Sequence, residues 1–202
     1  MASSSRHQYG LGDRVVPIFN VPDLIDKTRV FVTEGEKAVL RLAELGLTAT
    51  CPPNGASQWR PAWSLQLWKC GAHDVFVLAD RDAKGDAHAE RVAAALSGFT
   101  HVPPVPSDMA APDNAWPMAE AGDLELQTIR VKVVRLPSLP PGGDVVDFLQ
   151  AGHGPADLLA CVAATPWWTP ALLAESRVDR KREQTKLRVQ RYRAKRRAYV
   201  TQ

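Results

Sequence analysis

Short apolar runs alternate with longer amphipathic stretches along most of the chain. Runs rich in Val, Phe and Ile are typical of strands buried on both faces, and apolar residues at three- and four-residue spacing are typical of helices. Strands are predicted at residues 29–33, 47–51, 74–79 and 128–136. Helices are predicted at residues 36–46, 59–70, 86–96, 144–149 and 155–164. This alternation predicts an α/β fold with a mostly parallel sheet flanked by helices on both faces.

The segments around this pattern divide the chain into a lead-in, a domain and a tail. Residues 1–28 form the predicted lead-in, with an edge strand at 15–19 and a short helix opening at 21, and it packs against the domain. The domain is predicted to span residues 29–168. Within it, residues 102–127 are rich in Pro, Ala and acidic side chains without a period, which indicates a flexible insertion. Residues 169–202 form the tail.

The composition of the chain indicates in which cellular compartment the protein is expected. The 202 residues have room for one domain and a tail, and no run of about 18 apolar residues is present to span a membrane. The first seven residues lack the apolar core of a signal peptide. Cys51, Cys70 and Cys161 are too widely spaced for a zinc-ligand pattern or a disulfide framework. These features predict a reduced, cytoplasmic protein.

Charge is divided unevenly between the tail and the rest of the chain. Residues 177–197 contain eleven Lys or Arg and two acidic residues, whereas the other residues contain 14 basic and 20 acidic side chains, a net charge of −6. A basic tail on an acidic body indicates a polyanionic partner, and the alternative is a tail that only aids solubility. The tail is predicted to be disordered or a frayed helix that orders on a phosphate backbone. Its predicted nucleic-acid-binding residues are Arg180, Lys181, Arg182, Arg188, Arg191, Arg193, Lys195, Arg196 and Arg197.

Carboxylates follow two of the predicted strands at the point where each strand ends. Asp80 and Asp82 come after the strand at 74–79, and Glu34 follows the strand at 29–33. In an open α/β sheet, ligands collect beyond the carboxyl ends of the strands. Two close carboxylates repel each other unless a cation lies between them, and Mg²⁺ prefers carboxylate oxygen. The alternative is an ordinary acidic turn after the strand.

The order of these motifs resembles the TOPRIM domain of phage- and plasmid-type DNA primases. The resemblance is carried by Val-Phe-Val-Thr-Glu-Gly-Glu-Lys at residues 30–37, by Asp-Arg-Asp at 80–82 with Gly85 and His88 downstream, and by Gly-Gly-Asp-Val-Val-Asp-Phe-Leu at 142–149. It implies a Rossmann-like fold that acts on phosphodiesters with Mg²⁺ or Mn²⁺. It also implies Glu34 as the general acid or base. The metal ligands that it implies are Asp80, Asp82, Asp144 and Asp147, for the last two of which helix capping is an equal alternative.

The function predicted from this resemblance is that of a stand-alone TOPRIM primase-like nucleotidyltransferase in DNA replication, of phage or mobile-element type. Its partners would be a single-stranded DNA template, NTPs and a separate RecA-like replicative helicase, since no Walker A sequence is present. Lys37 and Lys84 are further candidates for binding nucleic acid. A TOPRIM nuclease and a non-catalytic nucleic-acid-binding accessory remain open, because the chain lacks the zinc ribbon that usually accompanies such primases.

Overall fold

The computed structural model of the protein describes residues 16–53, 59–99 and 128–172, together with the single positions 174, 185, 186, 188 and 190. The predicted insertion at 102–127 and all but Arg188 of the basic residues predicted to bind nucleic acid in the tail lie outside the described residues. Within the described part the elements are, in chain order, α1 (Val21–Leu24), β1 (Arg29–Val32), α2 (Glu36–Glu44), β2 (Ala49–Thr50), α3 (Pro61–Lys69), β3 (Asp74–Ala79), α4 (Ala83–Leu96), β4 (Arg130–Arg135), α5 (Val145–Gln150) and α6 (Pro155–Ala164).

The four strands form one parallel sheet in the order β2-β1-β3-β4. Arg29 of β1 pairs with Asp74 of β3, and Asp74 in turn pairs with Arg130 of β4, so the amino ends of these three strands are level. The chain moves outward from β1 to β2 and then returns to place β3 on the other side of β1. The strand order therefore reverses between β1 and β3, and in open α/β sheets this reversal is where ligands bind.

Helices cover both faces of the sheet, as the alternation of apolar runs predicts. Phe76 and Leu78 of β3 belong to a buried cluster with residues of α2, α5 and α6. Successive side chains of a strand point to opposite faces, so Val75 and Val77 point to the other face, against which α4 packs. Strand β3 thus lies between two layers of helices. The predicted α/β fold with a parallel sheet flanked by helices is confirmed.

The predicted edge strand at 15–19 is wrong for the residues that the structure describes. Phe19 donates its backbone N–H to the carbonyl oxygen of Cys51 at 2.9 Å, but the N–H of Ile18 is taken by the side-chain oxygen of Gln66 at 3.0 Å. The indole of Trp63 donates to the carbonyl oxygen of Val16 at 2.8 Å. Because side chains of α3 take these backbone groups, no strand ladder forms, and the segment packs against α3.

Two predicted helix starts are also wrong. The helix predicted from Trp59 begins at Pro61, because proline lacks the N–H that a helix interior needs and fits its first turn. The helix predicted from Asp86 begins earlier, at Ala83, because Asp82 caps it. The earlier start places the first turn of α4 directly beside the end of β3.

The chain divides into two units, residues 1–167 and 168–202. The sheet and its helices belong to the first unit. In the second unit, residues 170–172 and the five single positions are helical. None of the described helices is long and apolar enough to cross a membrane.

Candidate active site

The carboxyl ends of β1 and β3 bring two acidic side chains into direct contact. Glu34 lies two residues after β1, Asp80 lies directly after β3, and the two carboxyl groups form a side-chain hydrogen bond. A hydrogen bond between two carboxyl groups requires a proton on one of them. Both side chains are partly buried. The pair therefore lies at the point of the sheet where the strand order reverses.

Asp80 is strongly perturbed by its surroundings. Several causes together raise the pKa of Asp80 from an ordinary 3.8 to about 8. In decreasing order they are burial, the hydrogen bond with Glu34, and the negative charges of Glu34, Asp144 and Asp82. From the sequence, Asp82 was the expected repelling neighbour of Asp80. The structure gives that place to Glu34, which comes from the adjacent strand.

Asp82 has turned toward the helix that follows it. Its Oδ1 accepts hydrogen bonds from the backbone N–H groups of Lys84 at 2.8 Å and Gly85 at 2.7 Å, so Asp82 is the N-cap of α4. Both bonds go to Oδ1. This leaves Oδ2 without a hydrogen bond from any described residue, on a side chain that is exposed.

Gly85 lets α4 approach the end of β3 closely. A Cβ atom at this position would lie 2.7 Å from the Cβ and from the carbonyl oxygen of Asp80. Real Cβ atoms do not come this near, and the backbone oxygen cannot move aside as a flexible side chain would. Glycine is therefore required here for steric reasons. The close packing of Gly85 against Asp80 holds the backbone and the Cβ atom from which the carboxyl group of Asp80 extends.

Asp144 reaches the same region from the loop after β4. The N–H of Arg81 donates to the carbonyl oxygen of Gly143 at 2.8 Å, and the N–H of Gly142 donates back to the oxygen of Arg81 at 2.9 Å. This pair of backbone hydrogen bonds ties the loop to the residue between Asp80 and Asp82. It is the reason that the charge of Asp144 acts on Asp80.

The capping role considered for Asp144 and Asp147 is present in the structure. Oδ1 of Asp144 accepts from the N–H groups of Val146 at 2.7 Å and Asp147 at 3.1 Å, and Oδ2 of Asp147 accepts from the N–H of Asp144 at 2.9 Å. The two residues form a capping box at the start of α5. Asp144 thus both caps a helix and faces Asp80. Metal binding by Asp147 stays a prediction, with one of its oxygens already used.

Sequence reasoning missed the environment of His88, which it used only as part of a motif. His88 lies on α4, is 4% exposed, and neither ring nitrogen has a hydrogen-bond partner among the described residues. Burial lowers its pKa, the charge of Glu34 acts in the opposite direction, and Arg91 lowers the pKa further. The side chain is therefore a neutral imidazole within the field of Glu34. Its position one turn after Gly85 in an amphipathic helix is the signal that could have revealed it.

A cavity of about 310 Å³ opens beside these carboxylates. It is lined by Ala79, Asp80, Arg81, Asp82, Asp86, Arg135 and Leu136. Arg135, at the end of β4, forms ion pairs with Asp86 at 2.8 Å and with Glu90 at 2.9 Å. The guanidinium of Arg81 donates to the carbonyl oxygen of Leu139. The cavity is therefore lined by both acidic side chains and arginines, and these arginines are held by hydrogen bonds or ion pairs.

The predicted basic residues that the structure describes are all on the surface. Lys37 is exposed in the first turn of α2, and Lys84 is exposed in the first turn of α4. Both of these turns follow strands that end at the carboxylate pair. Arg188 is helical and exposed in the second unit. Binding of nucleic acid by these residues stays a prediction.

The site contains oxygen atoms of the type that a divalent cation prefers, but the described residues do not group them as a metal site. Carboxylate oxygens are what Mg²⁺ prefers, and Asp80, Asp82 and Asp144 supply them, with Oδ2 of Asp82 and of Asp144 not used by the caps. No group of three or more His, Cys, Asp or Glu side chains in the described part of the chain is arranged as a ready-made metal site.

Comparison with known proteins gives a structural likeness. No protein-family model and no curated protein matches the chain. Among solved structures, the chain is similar to the Aquifex aeolicus primase (zinc-binding and RNA polymerase domains), with 17% sequence identity and a TM-score of 0.49. The alignment covers 80% of this chain and 32% of that chain. The chain thus spans about a third of the length of that primase structure.

Proposed function

We propose that the protein is a divalent-metal-dependent enzyme of phosphoryl transfer on nucleic acid, of the TOPRIM primase type. The observation that carries this proposal is the hydrogen-bonded pair of Glu34 and Asp80 at the reversal point of a parallel sheet. Asp82 and Asp144 bring two further carboxylates toward the same place. Ligands of open α/β sheets bind at this position.

Glu34 and Asp80 cap none of the described helices. Asp82 and Asp144 cap α4 and α5, but the N-cap of α2 is Gly35, so Glu34 caps no helix. Two acidic groups held together and partly buried cost free energy, as the raised pKa of Asp80 reflects. Clusters of carboxylates that oppose folding in this way are typical of functional sites.

The residues of the site match the demands of phosphoryl transfer. This reaction depends on positioning and on neutralising charge more than on a protein nucleophile. A divalent cation held by Asp80 and Asp82, with Asp144 nearby, would supply the positive charge for the phosphate oxygens. Glu34 would accept the proton of an attacking 3′-hydroxyl group. Lys37 and Lys84 lie in first helical turns, where the helix dipole also favours anionic phosphate.

Among phosphoryl-transfer reactions, we propose primer synthesis because of the sequence motifs. Glu34, Asp80 and Asp82 follow the order of the TOPRIM primase motifs, and the acidic segment at 144–147 completes the set. The proposed substrates are NTPs and a single-stranded DNA template, which the basic tail would hold through its charge. A separate replicative helicase is the proposed partner.

A non-catalytic nucleic-acid-binding accessory is the second candidate. The observation that favours it is the arrangement of the carboxylates, which form no ready-made metal site among the described residues. If cation binding does not reorganise Glu34 and Asp80, the fold would serve only as a scaffold for binding.

The test is an assay of the full-length protein with labelled single-stranded DNA, NTPs, and Mg²⁺ or Mn²⁺. Asp80→Asn removes the central carboxylate, and Asp74→Asn is the matched control, since it changes the same residue type at the other end of β3. New short oligonucleotides made by the wild type and by Asp74→Asn, but not by Asp80→Asn, would support the primase.

Two other outcomes of this assay would favour a different function. Shortening of the template that depends on Asp80 would replace the primase by a nuclease with the same site. Equal binding of DNA by all three proteins, with no synthesis and no cleavage even with a replicative helicase added, would favour the accessory.

A further inference from the structure

Basic side chains and a tryptophan gather at the amino end of the sheet. Arg29 of β1, Asp74 of β3 and Arg130 of β4 are level in the parallel register, so their side chains lie on one face of three adjacent strands. Lys132 lies two residues further along β4 on the same face. The ring centroid of Trp167 is 4.4 Å from Cζ of Arg130 and 4.8 Å from Nζ of Lys132. We call these five residues the amino-end surface.

The amino-end surface has an excess of positive charge on an otherwise acidic body. It contains three cations and one carboxylate, whereas the chain outside residues 177–197 has a net charge of −6. Arg29 is exposed and forms no ion pair with any residue that the structure describes. Its charge is therefore available to an anionic partner.

The guanidinium of Arg130 is held in place without being enclosed. Its Nε and Nη2 donate to Oδ1 of Asp74 at 2.9 and 2.7 Å, and the ring of Trp167 supports it from another direction. Within the described part of the chain, the other N–H groups of the guanidinium have no acceptor, and the side chain is 51% exposed. A guanidinium that is already positioned in this way can stack on a nucleic-acid base at a small cost in entropy.

We propose that the amino-end surface binds single-stranded nucleic acid, with a base stacked on the guanidinium of Arg130 and with phosphates attracted by Arg29 and Lys132. The bases of a single strand can turn a ring face toward a protein, whereas those of a duplex are stacked on one another. The phosphates carry the charge that complements the three cations. An acidic peptide would match the charge but would leave the stacking position empty.

This inference rests on the proposed function only in naming nucleic acid as the partner, and it needs neither a metal ion nor turnover. The amino-end surface and the carboxylates lie at opposite ends of β3, a strand of six residues that is about 20 Å long. A template that reaches both ends would react at the carboxylates and be held at the amino-end surface. The surface therefore affects how strongly the template is bound, and the chemical step takes place elsewhere.

The first experiment separates stacking from charge by the choice of strand. Fluorescence anisotropy would measure the binding of a labelled oligothymidylate, and of an abasic strand of equal length, to the full-length wild type, Arg130→Lys and Arg60→Lys. Arg130→Lys keeps the charge but removes the planar guanidinium. Arg60→Lys is the matched control, because Arg60 also lies over a tryptophan ring, 5.6 Å from the centroid of Trp63.

The expected loss is confined to one variant and one strand. Arg130→Lys should bind oligothymidylate about 3- to 10-fold more weakly than the wild type and the abasic strand within about twofold, and Arg60→Lys should change neither affinity. An unchanged affinity of Arg130→Lys for oligothymidylate would overturn the proposal. An equal loss for both strands would also overturn it, because a site for any polyanion would behave in that way.

The second experiment locates the bound strand and leaves Arg130 in place. The full-length protein would be labelled with 5-fluorotryptophan, and its ¹⁹F signals would be followed as oligothymidylate is added, with Trp167→Phe to assign the signal of Trp167. We expect this signal to shift, whereas that of Trp63, which is 4% exposed, should stay. Binding of oligothymidylate without a shift at Trp167 would place the strand elsewhere and overturn the proposal.

The outcomes distinguish this inference from the proposed function. Primer synthesis by a protein whose Trp167 signal does not respond to the strand overturns the amino-end surface alone. A response of Trp167 in a protein that neither makes nor cleaves nucleic acid supports the surface and overturns the enzymatic function alone.

Discussion

The two ends of strand β3 hold the same type of side chain in opposite electrostatic surroundings. At the amino end, Asp74 accepts hydrogen bonds from Nε and Nη2 of Arg130 at 2.9 and 2.7 Å. At the carboxyl end, Asp80 is hydrogen-bonded to Glu34, another acid, and its pKa rises to about 8. The amino end pairs a negative charge with a positive one, whereas the carboxyl end gathers negative charges.

This difference is the basis for assigning the proposed site to the carboxyl end of the sheet. An ion pair of a partly buried carboxylate with an arginine is neutral or mildly favourable for folding. A cluster of acids is unfavourable, and its chemistry calls for a cation or a proton. The volumes of the cavities at the two ends of the sheet do not identify the proposed site. The cavity near the amino ends of β1 and β2, lined by residues such as Asn20, Lys27 and Thr48, has about 400 Å³ against about 310 Å³ at the carboxylates.

The largest effect is expected from Glu34→Gln. Loss of a general acid or base typically lowers a rate 10²- to 10⁴-fold, and we expect a fall of about that size in metal-dependent phosphoryl transfer. Glu44→Gln is the control, because Glu44 is an exposed acid of α2 that pairs with Arg41. Turnover would be measured with labelled DNA under saturating NTP. Equal rates in both variants would break the assignment of function to the carboxyl end.

The second-largest effect is expected from substitution of Gly85, the glycine that packs against Asp80. Gly85→Ala should lower the free energy of unfolding by about 1–3 kcal/mol, because its Cβ would overlap backbone and side-chain atoms of Asp80. At Gly35, on the same edge of the sheet, a Cβ would meet nothing within 4 Å. Gly35→Ala is therefore the control, with an expected cost below about 1 kcal/mol. Urea unfolding measures both, and a similar cost for both would contradict the close approach of α4.

The pH dependence of stability should differ between the two ends. In the unfolded chain Asp80 ionises near its ordinary pKa of 3.8, and in the folded protein it ionises near 8. Between these values the folded state holds a proton that the unfolded chain has lost, so the contribution of Asp80 to stability falls as pH rises from about 4 to about 8. Asp80→Asn should remove this fall and raise the free energy of unfolding at pH 8 by about 1–2 kcal/mol, a figure reduced for partial exposure.

Thermal unfolding of the wild type, Asp80→Asn and Asp74→Asn across this pH range measures the effect. Asp74→Asn should keep the downward slope of the wild type. If stability depends on pH in the same way in the wild type and in Asp80→Asn, the raised pKa of Asp80 would be contradicted.

The smallest effect is expected at the amino end. Arg130→Gln removes the ion pair with Asp74 and the stacking of the guanidinium on the ring of Trp167, whose centroid is 4.4 Å away. Because Arg130 is half-exposed, we expect a loss of only about 0.5–1 kcal/mol in the free energy of unfolding, and no change in phosphoryl transfer. A marked loss of activity would mean that the two ends are not separate in function.

Much of the site follows from local sequence. Glu34 and Asp80 were identified because each follows a short apolar run, and the carboxyl ends of parallel strands meet at one edge. The caps made by Asp82 and Asp144 were less well anticipated. For Asp144 capping was considered, but for Asp82 it was missed, and the start of α4 was therefore placed at Asp86 instead of Ala83. A cap depends on a side-chain rotamer, which apolar periodicity does not contain.

The sequence by itself determined the type of each main element, the parallel α/β class and the edge of the sheet on which the acids lie. These follow from apolar periodicity and from the rule that parallel strands end on the same side. Only the tertiary structure decided that β1 lies next to β3, so that Glu34 and not Asp82 is the hydrogen-bonding partner of Asp80. It also decided that the backbone hydrogen bonds of Arg81 with Gly142 and Gly143 bring in Asp144, and that His88 is buried without a hydrogen-bond partner among the described residues. The physical reason is that these contacts join segments distant in the chain, and their distances depend on strand order and packing.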